Sequence, residues 1–152
     1  MTNNFIADGA KIIGDVQLGE NVSVLYNAVL RADSGHKITI GDNTNIQDCT
    51  VIHAQLRNVE IGEGCTVGHG AVIDDSTIGN SCLISINSSV LESEIKENSV
   101  VAAGAVVNKM KAEKGNVLIA GVPAVVKKDV EQKHLDYIKM ARNVYLQKLK
   151  KY

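Results

Sequence analysis

Two histidines and a pair of carboxylates bring metal-ligand chemistry within reach of this sequence. Residues 67–79 read VGHGAVIDDSTIG, with His69 five positions before Asp74 and six before Asp75, and His53 closes the segment TVIH. Imidazole nitrogen and carboxylate oxygen are common donors to divalent ions. On a regular scaffold the same residues would be only a polar patch. The elements that position them must decide.

Those elements repeat. From Ile6 an aliphatic residue returns at every sixth position with a few slips, through Ile46, Ile52, Val67, Ile73, Ile84 and Val90 to Val107. Four residues later stands a small one, as at Ala28, Thr44, Cys65, Ala71 and Cys82, and glycine often follows the aliphatic. Neither an amphipathic helix nor a long strand sustains a six-residue period, whereas short strands joined by tight turns do. Ile61, Ile78 and Ile95 each open a set of three hexads, so one coil has three faces and the expected body is a triangular prism.

Stacked coils place like residues in columns. A narrow interior then selects Ile and Val over rings, which fits a chain that is 45% hydrophobic yet has no Trp and one Phe. Cys65 and Cys82 fall in a small-residue column with Thr44 and Ser99, and the spacing of the three cysteines gives no C-x-x-C pair, so structural thiols are expected. Two interruptions, RADSGHKIT (31–39) and HAQLRNVE (53–60), are expected to leave the prism as loops. After the last hexad KMKAEKGNVLIAGVPAVV crosses the end with a Gly-Val-Pro turn. The organisation expected is a repeat domain over 1–128 and a helix over 129–152, packed on the prism or on a neighbouring subunit.

The columns sort the polar residues. Arg31, His53 and Asp74 each follow the third aliphatic of successive coils and should stack along one edge. Asp75 reads as a turn carboxylate. His69 lies up to roughly 16 Å of extended chain from Asp74, near another edge. If His53, His69 and Asp74 hold one ion, a neighbouring subunit must bring His69.

R-A-D (31–33), N-I-Q-D (45–48), T-V-I-H ending at His53, V-G-H-G-A-V (67–72) and T-I-G-N (77–80) together resemble the gamma-class carbonic anhydrases and their relatives. The likeness covers nearly the whole chain. It implies a mainly β fold, a left-handed parallel β-helix of hexapeptide repeats with a C-terminal α-helix, assembled as a homotrimer with a site at each interface. It further implies His53 and His69 as metal ligands, His69 from the adjacent subunit, with Zn or Fe as the divalent metal and a small-molecule substrate. By the same likeness Gln47 positions the attacking group beside Asn45, while Arg31, Asp33 and Asp48 form an ion-pair network across the interface.

At three places the chain departs from the family pattern. Asp74 stands where the family has a third histidine, the loop after His53 is short and lacks an acidic proton shuttle, and S-I-N-S (85–88) replaces a glycine-rich segment. Two histidines and a carboxylate still form an accepted set for Zn²⁺ or Fe²⁺.

Composition narrows the alternatives. A net charge of −1 without a basic aromatic patch gives no footprint for nucleic acid. The opening residues show no signal-peptide pattern and no run is long enough for a membrane span, so a cytoplasmic protein is expected. Besides carbon dioxide hydration, two other functions fit the residues. One is coenzyme A-dependent acyl transfer, suggested by A-A-G-A-V-V (102–107) and A-G-V-P-A (120–124). The other is a non-catalytic trimeric assembly subunit.

Overall fold

The structure, a computed structural model, describes residues 2–152. The hexads fold into a left-handed parallel β-helix of about six turns with one C-terminal helix. Its three faces are sheets of eight, six and five strands, and every pairing within them is parallel except one hairpin at the C-terminal end. The tight corners need left-handed backbone, which glycine adopts freely and asparagine tolerates best among the other residues. Asn27 (φ 59°), Gly70 (φ 68°), Asn87 (φ 55°) and Gly104 (φ 68°) supply it along one corner.

The aliphatic of each hexad points inward. Ile46, Ile52, Val67, Ile73, Ile84 and Val90 are fully buried in one continuous core. Among the described residues nothing covers the first coil on its N-terminal side, and Ile6 and Ile12, expected inside, are 44% and 38% exposed. Coils pack closely enough to forbid a side chain at Gly62, where a Cβ would stand 2.7 Å from the backbone nitrogen of Asn80.

Cys65 and Cys82 are buried and unpaired, each thiol donating to a carbonyl of the next coil, Gly79 and Lys96 respectively, at 3.1 Å. The adjacent Cys65 sulfur, together with burial, pushes the Cys82 thiol far up, so it stays protonated.

Register shows where the extra residues go. Thr66, Leu83 and Val100 align at intervals of 17 residues, whereas Ser23, Asn45 and Thr66 align at 22 and 21. The surplus leaves as loops, but shorter ones than the interrupted hexads suggest. Strands run into both gaps, over Val29–Ala32 and Val51–Ala54, and only residues 33–36 and 55–58 are loop.

The crossing segment is more ordered than its sequence implies. Val117–Gly121 continues the first face and turns at Val122 and Pro123 into the antiparallel strand Ala124–Asp129. Helix α1, Gln132–Leu149, then runs back along the outside of the first face. At about 1.5 Å per residue it measures about 27 Å, close to six coils spaced about 4.8 Å apart. Its first turn is held by Glu131, whose backbone N–H donates to His134 Nδ1 at 2.8 Å, which gives that histidine a structural role. Ile138 packs on Leu83 and Val100, and the ring of Tyr152 beyond α1 stacks on Phe5 at 4.0 Å.

Candidate metal centre

The parallel register sets Arg31, His53 and Asp74 side by side on adjacent strands at one end of the second face. Because they stack coil on coil, their side chains meet without any long-range loop closure. Asp33 Oδ2 accepts a hydrogen bond from His53 Nε2 at 2.8 Å, and Arg31 pairs with the other oxygen of Asp33 at 3.4 Å. The bond from His53 is the main reason the Asp33 carboxyl lies below its usual range, with Arg31 adding to it.

On the other side of the ring, Asp74 Oδ1 lies 3.3 Å from His53 Nδ1 without hydrogen-bond alignment, and it is buried with no partner. Burial, reinforced by repulsion from Asp75, pushes the Asp74 carboxyl up; His53 only partly offsets this. An orphaned buried carboxylate oxygen beside a ring nitrogen is a donor pair whose chemistry suits a divalent ion. Two donors about 2.1 Å from one tetrahedral ion stand roughly 3.4 Å apart, so the observed spacing fits. Among the described residues no three His, Cys, Asp or Glu side chains of one chain cluster tightly enough to hold an ion alone.

His69 belongs to the opposite corner of the second face, as its sequence distance from Asp74 requires. It borders a groove of about 430 Å³ between the solenoid and α1, shared with Gln47, Thr66, Ile86, Tyr137 and Tyr145. Asn45 is buried under α1, donating to Thr66 Oγ1 at 2.9 Å and accepting from Gln47 Nε2 at 3.1 Å. That bond fixes the orientation of the Gln47 amide. Asp48 stands on this corner too. It lies 2.9 Å from His69 Nδ1, so within a protomer it engages His69 and not the Arg31–Asp33 pair with which the family likeness groups it.

Asp75 has a role that the sequence hid behind a turn. Its Oδ1 accepts from the backbone N–H groups of Gln55, Leu56 and Arg57 at 2.8, 3.0 and 3.3 Å. Burial raises its pKa, but the three amides outweigh it and hold the carboxyl low. The loop after His53 is therefore pinned, and it carries Leu56 outward with 70% of its surface exposed. Asp75→Ala should cost about 1–3 kcal/mol of stability, since three donors lose a charged acceptor. Amide exchange at residues 55–57 should rise well above that elsewhere in the third coil; unchanged protection there would count against this account.

No family model matches the chain. At 33% identity over 146 residues it is similar to the carbonic anhydrase of Geobacillus kaustophilus, an alignment covering 95% of this chain and 80% of that protein. It is 32% identical over 150 residues to the mitochondrial gamma carbonic anhydrase 2 of Arabidopsis thaliana, with 93% of this chain matched. The chain spans about half of that longer relative, 54%. Among solved structures, a hexapeptide transferase family protein from Anaplasma phagocytophilum superposes with a TM-score of 0.92 at 34% identity, covering 100% of this chain and 90% of that one.

Proposed function

Because the chain belongs to the gamma-class carbonic anhydrase family of hexapeptide-repeat proteins, we propose that it is a metalloprotein acting on carbon dioxide at the interfaces of a trimer. The observation that carries this reading is the orphaned Asp74 oxygen 3.3 Å from His53 Nδ1. His53 and Asp74 of one protomer, with His69 of the partner subunit, would hold a divalent zinc or iron ion. Such an ion supplies Lewis acidity, which makes water nucleophilic near neutral pH.

The chain's own residues do the rest. Gln47, its amide held by Asn45, would orient the nucleophile at the groove that His69 borders. Asp33 keeps the His53 ring from turning, and Arg31 balances the charge of Asp33. The exposed apolar residues Leu56, Tyr137, Met140 and Val144 support burial of these edges against other subunits. Among the described residues no helix is long and apolar enough to cross a membrane.

The test is metal content per chain by elemental mass spectrometry on untagged protein purified without oxygen. About one Zn or Fe per chain is expected, with loss in both His53→Ala and Asp74→Ala. A metal-free wild-type trimer would defeat the reading.

Acyl transfer is the second reading, favoured by the likeness to a hexapeptide transferase family protein and by the half-enclosed groove at His69. Saturable binding of acetyl-coenzyme A would support it; no binding at millimolar ligand would remove it.

A further inference from the structure

His53 and His69 differ in how their rings are held. His53 has both nitrogens near protein groups, Nε2 against Asp33 and Arg31 and Nδ1 facing Asp74. His69 has one such neighbour, Asp48, whose Oδ2 lies 2.9 Å from Nδ1. The side chain of His69 is 48% exposed, and it borders the groove.

A carboxylate oxygen that close to a ring nitrogen is tolerated only when the nitrogen carries a proton, since two lone pairs at that distance repel. In a neutral imidazole the proton then sits on Nδ1, and Nε2 keeps the lone pair. Free neutral histidine side chains favour the opposite tautomer. Asp48 must therefore reverse an intrinsic preference, and its backbone keeps it in place to do so. The Asp48 carbonyl accepts from Gly70 N–H at 2.9 Å, which locks the two corners in register. The left-handed residue that follows, Cys49 (φ 60°), turns the chain away immediately after Asp48.

We propose that Asp48 is a positioning residue for His69, holding the proton on Nδ1 so that Nε2 is presented as an electron-pair donor to an ion held by the partner subunit. This rests on the metal reading given above for the ion, but the tautomer belongs to the chain itself. A carboxylate behind a ligating histidine fixes its orientation and raises its basicity, and losing it typically weakens metal binding by about 10–100-fold. Asp48 thereby acts within its own protomer.

The experiment is a long-range ¹H–¹⁵N correlation on the full ¹⁵N-labelled chain at about pH 9, well above the usual histidine pKa. The His69 signals are assigned by their loss in His69→Gln. In the wild type, Nδ1 should be the protonated nitrogen and Nε2 the bare one. Asp48→Asn keeps an acceptor oxygen and should keep this tautomer, whereas Asp48→Ala should release the ring to the Nε2–H form. A wild-type spectrum with the proton on Nε2, or no change in Asp48→Ala, overturns the proposal; if the Ala variant does not fold, Asp48→Leu, which removes the acceptor while filling the space, should likewise release the ring to the Nε2–H form, and no change there overturns it.

A second arm measures Zn²⁺ affinity by competition with a chromogenic chelator. Asp48→Ala should bind about 10–100-fold more weakly than wild type, with Asp48→Asn between them. Wild type that shows the expected tautomer and takes up no Zn²⁺ removes the metal reading and leaves Asp48 as the group that sets the ring. Tight Zn²⁺ binding with the proton on Nε2 does the reverse.

Discussion

Asp74→His should raise carbon dioxide hydration by the metal-loaded protein by about tenfold at pH 7.5. The reason is charge. A carboxylate in the donor set cancels part of the cation's charge, whereas a neutral imidazole leaves the site one unit more positive and makes a water there more acidic. Water on zinc has a pKa of about 7 with three histidines and about 9 in the free aqueous ion, which bounds the gain at roughly 25-fold at that pH. The substitution suits the scaffold. Residue 74 lies opposite His53 at the end of the second face, half-buried rather than inside the core, so a larger ring has room to turn outward. It also removes an acid that burial and Asp75 hold at a raised pKa, and with it the orphaned oxygen. Stopped-flow hydration assays on wild type and variant, each with its measured metal content, read the effect. A variant that holds one metal per chain and hydrates carbon dioxide no faster than wild type would sink the charge argument.

The column of Arg31, His53 and Asp74 is legible in the sequence because period decides it. In a solenoid each residue's neighbour lies one coil away, so counting hexads gives the lateral contact that other folds conceal. The separation of His69 from that column is legible for the same reason. What counting does not reveal is anything that depends on a turn. Asp48 and His69 do fall in one column, each two residues after the paired Ile46 and Val67, but no hydrophobic pattern records how their side chains lean at a corner set by Cys49 and Gly70 in left-handed conformation. Asp75 is the same kind of case. Its three amide partners lie 18 to 20 residues earlier, in a loop whose path follows from those very bonds. The terminal hairpin is hidden because its second strand, AVVKKD, is almost wholly exposed and lacks a buried alternation.

Ile73→Ala should cost about 2–5 kcal/mol, the range for emptying a fully buried aliphatic site. Ile73 is 0% exposed, in the strand Val72–Asp74, paired on one side with Ile52 and on the other with Val90. A rigid ladder on both sides cannot close the gap, so the high part of the range is expected. A coil in the middle of the prism also has two neighbours, and weakening it loosens both contacts. Ile95→Ala is the control. Ile95 is 2% exposed and equally aliphatic, but it lies on the third face in the last strand of its sheet, away from both histidines. Both variants should unfold at lower denaturant. Ile73→Ala alone should also weaken Zn²⁺ uptake, because its strand ends in Asp74 and its neighbour Ile52 directly precedes His53. Equal losses of stability with equal Zn²⁺ affinity in the two variants would show that the spacing of Asp74 and His53 does not depend on the core beneath it.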